Sequence, residues 1–362
     1  MPTVATVFNN QGYHTAYFGK WHLDGFKEAK GRAAKHIVSP ERRGDFQDWI
    51  GYENNNSQWD CWVHGQKDGQ EIDPYRLPGY ETDETTNLLL DYLKERGDSD
   101  SDQPFFAVMS VQPPHNPYVA PEEYMDLHNM SEIELRENVA PVDRIQETAR
   151  RELAGYYAQI ENLDWNIGRI RKALQETDLA ENTHIIFFSD HGDMHGSHGQ
   201  FRKTTAYQES INIPFIISGA QPRYDGWKTG RIDVPLNHVD IAPTTLGLCG
   251  IDKPDWMMGT DYSHYRIAKE NPDSEPDSAF LQSVIPTGHG NSVNRSWRGI
   301  ITREGWKYVT FEQTPWMMFN LNEDPYEQAN LVHNNVFSGK RKELKKRLKK
   351  WITETEDDFP VH

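Results

Sequence analysis

Three short polar clusters each follow an apolar run: Gly19-Lys20-Trp21-His22, Pro113-Pro114-His115, and Ser189-Asp190-His191-Gly192-Asp193, the last leading to His195, His198 and Lys203. Lys20 and His22, two apart in an extended segment, would point the same way. They offer one fixed cation beside one titratable ring, a pairing suited to an oxyanion. Asp190 and His191 supply a hard oxygen ligand and an imidazole, which can hold a divalent metal or activate a water. Gly192 would let the backbone approach closely. Together Lys20, His22, His115, Asp190, His191 and Lys203 describe a metal-assisted site for phosphate or sulfate esters.

Taken singly, each residue has a plainer reading. A lysine near a strand end is ordinarily solvated, a histidine after two prolines caps a turn, and Asp190-His191 could cap the turn that follows it. The chain holds 15 histidines, and His36, His64, His128 and His333 have no such company. What favours the chemical reading is that all three clusters sit at the carboxyl ends of expected strands, where an α/β fold builds its sites.

The positioning elements follow from periodicity. Val4, Val7 and Phe8 mark an amphipathic helix over residues 3–10 that begins with no cap before it, so a segment upstream is expected. Gly12 fits its C-cap, and His14 to Phe18 is a β-prone run. Gly25 to Leu77 shows no sustained period and reads as a long excursion over the surface. Its Trp49, Trp59 and Trp62, with the loop from Asp252 to Ser263, could shape a sugar or aryl pocket. A helix over Thr82 to Arg96 precedes FFAVMSVQ, a continuous apolar run of the kind that forms a buried parallel strand. A long helix from Arg144 to Glu176, strands HIIFFS and IPFIIS, and a helix near Ile241 to Cys249 repeat the order. Strand–helix alternation predicts an α/β fold: a doubly wound, mostly parallel sheet with helices on both faces over residues 1–265. Beyond it, hairpin-like segments and a Lys-rich helix from Gly339 to Trp351 predict a smaller C-terminal α+β subdomain with an antiparallel sheet, residues 266–362. In that helix Leu344, Leu348 and Trp351 share a face, which leaves the basic residues a solvated one.

Composition excludes several functions. In 362 residues, 38 Lys+Arg against 55 Asp+Glu give a net charge of −17, which repels nucleic acid and anionic lipid over most of the surface. No run approaches the roughly 18 apolar residues of a membrane span. The N-terminus lacks the order of a signal peptide. Cys61 and Cys249 form neither a disulfide framework nor a zinc spacing.

GYHTAYFGKWH resembles the second signature of the sulfatase family, of the alkaline phosphatase superfamily, and SDHGDMHGSHGQFRK is similar to its metal segment followed by a substrate lysine. QPPHNPYVAPEEY, ESINIPFIISG, VDIAPTTLGLCGI and GWKYVTFEQTPWMMFNLNEDPYEQANL extend the likeness over nearly the whole chain. The resemblance implies a sulfuric ester hydrolase that is periplasmic, secreted or lysosomal and takes a small sulfated sugar or aryl sulfate. It implies Asp190 and His191 as ligands of Ca²⁺, or of Mg²⁺. Lys20 and His22 would contact and orient a formylglycine nucleophile, His115 and Lys203 would bind the sulfate and its bridging oxygen, and His198 would lie near the substrate. The family's Asp pair and its Cys/Ser-x-Pro/Ala-x-Arg motif, the source of formylglycine, belong upstream of the GKWH element and are absent from these residues. The chain alone is therefore expected to lack turnover, and the loss of a central strand to expose one sheet edge. Two other readings stand beside this one: a phosphate or phosphonate ester hydrolase of the same superfamily, and a non-catalytic sulfate- or sugar-binding remnant.

Overall fold

Thr3 caps the first helix, α1 (Val4–Asn10): its hydroxyl accepts from the Thr6 amide at 3.3 Å while the Thr6 hydroxyl accepts from the Thr3 amide at 2.9 Å. The helix thus has the cap that the sequence reading missed, because the reciprocal partner is Thr in place of the usual Glu or Gln. The computed structural model describes residues 2–26, 35–99, 101–219, 230–267, 270, 274–285 and 293–361. They belong to two compact units, one of residues 1–134, 150–183 and 219–221, the other of residues 135–149, 184–218 and 222–362.

In the first unit β1 (His14–Lys20) lies between β2 (Asp48–Tyr52) and β5 (Phe105–Ser110), parallel to both. β3 (Trp62–Lys67) and β4 (Gln70–Arg76) continue the sheet antiparallel, giving the order β4-β3-β2-β1-β5. Helices α2 (Glu81–Gly97) and α3 (Glu122–Met125) follow in the chain, and then α4 (Asp143–Glu176), which belongs to this unit from residue 150 on. The surface excursion expected from Gly25 to Leu77 is corrected here: residues 48–76 hold three strands, and Trp49, Tyr52, Cys61 and Val63 among them are buried, while 27–34 lie outside the described residues. The strands are short, Gly51 and Gly65 interrupt them, and Asp48 and His64 are polar yet buried, which hides their period. Asp68 and Gly69 both have positive φ, the two-residue turn that joins β3 to β4, and the Asp-Gly pair is its sequence signal.

Ala5, Tyr17, Val38, Phe46 and Trp49 form the core on one side of this sheet. His64 accepts a hydrogen bond from the Val38 amide at 2.9 Å, so its ring is needed neutral. Burial, helped by the Arg43 charge, pushes its pKa down to about 4. The unfolded chain binds a proton near pH 6.5 that the folded chain refuses, so this stabilisation is complete above pH 6.5 and is lost as pH falls toward 4. Between pH 7 and 4.5 the unaltered protein should lose roughly 2 kcal/mol more stability than His64→Gln; parallel urea-midpoint curves for the two would refute this.

The second unit holds β6 (His184–Phe188), α5 (Gln208–Ile211), β7 (Phe215–Gly219) and α6 (Ile241–Leu248). It continues with β8 (Ser278–Ser283), β9 (Trp297–Thr302), β10 (Trp306–Phe311), β11 (Pro315–Asn320) and α7 (Ser338–Glu354). β8 to β11 make an antiparallel sheet, and Leu344 and Leu348 of α7 pack on its Ile300, Tyr308 and Met318. The mixed sheet with flanking helices and the smaller antiparallel C-terminal sheet agree with the predicted class. Two strands differ in burial. β5 and β6, expected to be buried on both faces, are mostly half-buried, because β5 ends its sheet and β6 pairs within a two-stranded one.

Candidate active site

In the first unit Lys20 ends β1 with Tyr52 as its register partner. Past it the chain stays on the neighbouring segment: the Trp21 amide donates to the Tyr52 carbonyl at 2.7 Å and the His22 amide to the Glu53 carbonyl at 2.8 Å. Trp21 packs edge-on against Tyr17 at 5.0 Å and Trp49 at 6.0 Å, and the Tyr17 hydroxyl donates to the Lys20 carbonyl. The expectation that Lys20 and His22 share a face through an extended backbone is corrected: His22 has φ +52° and lies beyond the strand, so the two-residue alternation does not reach it.

Gly19 makes this strand end feasible. Its φ is +105°, and a Cβ there would lie 2.0 Å from the Ser110 carbonyl oxygen. Gly19→Ala should therefore destabilise the protein by at least about 2 kcal/mol, and an unchanged thermal midpoint would show that β5 yields at no cost.

His115 follows Pro113 and Pro114, and its Nδ1 is 2.7 Å from the Asn116 carbonyl. A carbonyl only accepts, so this short contact favours a proton on Nδ1, while the Gln112 side-chain nitrogen lies 3.2 Å from the same atom. The buried Gln58 holds the same turn by donating to the His115 and Pro117 carbonyls at 3.3 and 3.1 Å. Beside these residues lies one that the sequence did not single out. Glu81, fully buried, accepts from the Tyr52 hydroxyl at 2.7 Å. In the sequence it looks like any acid in a helix's first turn.

In the second unit Asp190 and His191 follow β6. The Asp190 carboxylate accepts from the His191 amide at 2.9 Å, and His191 Nδ1 donates to the Gly192 carbonyl at 2.9 Å. That leaves His191 Nε2 with the lone pair, 3.5 Å from Asp190 Oδ2. An imidazole fixed through its other nitrogen, beside a carboxylate oxygen, is a donor set that suits a divalent ion; these two residues would hold it and the ion would polarise an ester oxygen. Gly192 meets the expectation of close approach, since a Cβ there would lie 2.0 Å from the Glu209 carbonyl oxygen.

Lys203 and His198 belong to a tightly wound loop. His195, His198, Arg202 and Thr204 all have positive φ, a conformation that non-glycine residues keep only when other contacts impose it. Here the Met194 amide donates to the Arg202 carbonyl at 2.8 Å, Gly196 to Gln200 at 2.7 Å, and His198 to the Asn138 carbonyl at 2.8 Å, while Asp193 accepts from the Arg202 amide at 2.9 Å. Lys203 is half-buried at the end of this frame. His198 is stacked on Tyr207 with centroids 3.9 Å apart, and its Nε2 is 3.2 Å from Asn138 Nδ2. Burial holds its pKa below the usual value.

Among the described residues two groups of three have donor atoms mutually within 4.8 Å: His14, Asp48 and Asp68, and His198, Glu209 and Glu327. Asp190 and His191 belong to neither. The second group already contains a cation, because the buried Lys307 ammonium pairs with Glu327. Cys61 is unfit as a nucleophile: it is buried, and burial pushes its thiol far up.

This is the fold of the alkaline-phosphatase-like hydrolases. The sulfatase family profile matches residues 1–251, and that of the N-sulphoglucosamine sulphohydrolase C-terminal region matches residues 196–354; the chain belongs to the sulfatase family. An ulvan-active sulfatase of Formosa agariphila is 34% identical over 361 residues, 98% of this chain and 66% of that protein, so the chain spans about two thirds of that relative. The structure of the yidJ protein of Bacteroides fragilis superposes with a TM-score of 0.81 at 25% identity, over 98% of this chain and 78% of that one. The phosphonate monoester hydrolase of Agrobacterium radiobacter shares the fold with a TM-score of 0.69 at 19% identity, over 97% and 80%. No helix among the described residues is long and apolar enough to cross a membrane.

Proposed function

We propose that this chain carries the oxyanion- and metal-binding part of a sulfuric ester hydrolase for a small sulfated sugar or an aryl sulfate. The observation that carries this reading is the strand end of Lys20, where Gly19, Trp21 and Tyr17 fix the backbone beneath a cation in a chain of the sulfatase family. In this reading His115 and Lys203 bind the sulfate and its bridging oxygen, and Lys203 neutralises the leaving oxygen. Lys20 and His22 contact and orient the attacking group, which would come from outside these residues. Asp190 and His191 would hold a divalent ion, Ca²⁺ or Mg²⁺, which would supply Lewis-acid stabilisation of charge.

The test is the product of the natural gene with its upstream DNA, assayed on matched aryl sulfate and aryl phosphate. Preferential turnover of the sulfate supports the proposal. Faster turnover of the phosphate would move the protein to the phosphate or phosphonate ester hydrolases. Sulfate binding with no turnover of either would favour a non-catalytic anion-binding protein.

A further inference from the structure

His14 opens β1, Asp48 opens β2, and Asp68 lies in the turn that joins β3 to β4. Because β1 and β2 run parallel and β3 runs antiparallel to β2, these three places fall at one end of the sheet. It is the opposite end of β1 from Lys20, roughly 20 Å away at the rise of an extended strand. His14 Nε2 lies 3.8 Å from Asp48 Oδ2, and one donor atom from each of His14, Asp48 and Asp68 lies within 4.8 Å of the other two. Donors around a four-coordinate Zn²⁺ stand about 3.4 Å apart, so small side-chain rotations close the set.

The Asp48 side chain is only 4% exposed. Its Oδ1 accepts from the Asp68 amide at 2.9 Å, which folds the turn over it. Its Oδ2 has no hydrogen-bond donor among the described residues and faces the His14 ring, too far off for a hydrogen bond even to a protonated imidazole. No lysine or arginine among the described residues pairs with Asp48 or Asp68: Lys67, next in the chain, pairs with Glu95 at 2.5 Å, and Arg96 lies over the Tyr92 ring at 5.6 Å. A buried carboxylate without a partner is costly, and a cation held between the two aspartates offsets that cost. On the other side of the ring, His14 Nδ1 is 3.0 Å from the Tyr92 hydroxyl of α2. That oxygen can take the Nδ1 proton and leave the Nε2 lone pair for a metal, the outer contact that ligating histidines ordinarily make. A cavity of about 350 Å³ lies beside Asp48 and Tyr92, with Asp91, Glu95 and Asp98 set against Lys67 and Lys94 in its walls. It gives a hydrated ion a way to Asp48.

We propose that His14, Asp48 and Asp68 form a structural Zn²⁺ site that staples β1, β2 and the turn joining β3 to β4. Asp190 and His191 contribute no ligand to it. One imidazole and two carboxylates, with a water as the fourth ligand, favour Zn²⁺ over Ca²⁺ and Mg²⁺, which take oxygen ligands.

The probe is Zn²⁺, added to the metal-stripped full chain and measured by equilibrium dialysis against excess Mg²⁺ and Ca²⁺. The unaltered chain should retain one ion that raises its thermal midpoint. Asp68→Asn removes a charged ligand at an exposed position and keeps a residue that tolerates the turn's positive φ. It should weaken Zn²⁺ binding by about tenfold or more, the cost of losing even a partner of a ligand, and shrink the rise in midpoint. His14→Gln should abolish retention, whereas Asp190→Ala with His191→Ala should retain the ion as the unaltered chain does. Co²⁺ in place of Zn²⁺ should show the strong visible bands of a four-coordinate ion, absent from His14→Gln. No Zn²⁺ retained by the unaltered chain, undiminished affinity in Asp68→Asn and His14→Gln, or loss of the ion in the Asp190, His191 double variant would each overturn the proposal.

Discussion

Lys307→Ala should lose about 3–5 kcal/mol of stability, the cost of leaving a buried charge without its partner. Lys307 in β10 and Glu327 are both fully buried and paired. The Lys307 ammonium also donates to the Ala206 carbonyl at 2.5 Å, and Glu327 accepts from the Gln208 amide at 2.7 Å. Burial lowers Lys307 and raises Glu327, and each opposes the shift of the other. With the lysine gone, burial and the nearby Glu209 raise Glu327 against the Gln208 hydrogen bond alone, and an acid whose folded pKa lies above its unfolded one stabilises below the unfolded pKa and loses that as pH rises. The variant's deficit should therefore be larger at pH 8 than at pH 5 in urea titrations. A double replacement, Lys307→Met with Glu327→Leu, should recover most of the loss, because the pair's net contribution is small once neither charge is stranded. Equal deficits at the two pH values, or a double variant as weak as the single, would show that lost packing dominates. Ala206 and Gln208 flank Tyr207, the platform under His198, so this pair also anchors the end of the loop that carries Lys203.

That anchor marks the limit of what the sequence could tell. The long helix was legible because Leu153, Ile160, Leu163, Ile167 and Leu174 repeat at helical steps over α4. The alternation of helices with short apolar runs located β1, β5, β6 and β7. The Lys-rich C-terminal helix placed Leu344 and Leu348 inward, as found. Burial was overstated for FFAVMS and HIIFF, since a continuous apolar run is the same string whether a strand has two neighbours or one. β2 to β4 were missed, although Asp68-Gly69 signalled their hairpin, because a buried aspartate and two interior glycines break the alternation. Candidate residues at strand ends could be picked out by type. The groups that hold them could not, because nothing in sequence spacing joins Glu81 to Tyr52 or Lys307 to Glu327. His198 was named on family resemblance alone, and no spacing in the sequence pointed to the Tyr207 ring it stacks on or to the Asn138 amide beside its Nε2.

In a preparation that turns over aryl sulfates, Lys203→Ala should lower kcat/KM by about 10²–10³-fold, as removal of one donor to a developing oxyanion does, with a thermal midpoint close to that of the unaltered protein. Stability should be spared because the loop around Lys203 is held by backbone hydrogen bonds of Met194, Gly196 and His198 and by Asp193, none of which the Lys203 side chain supplies. Turnover should suffer because the charge that appears as the S–O bond breaks gathers on the leaving oxygen. The size of the loss should then depend on the leaving group. A nitrophenolate carries its own charge well and needs little help, whereas an alkoxide from a sugar needs much, so the deficit should grow as the leaving alcohol becomes less acidic. A deficit of the same size across the series would place Lys203 on the sulfate's non-bridging oxygens, where substrate and transition state feel it alike. An unchanged kcat/KM for every leaving group would remove it from the site.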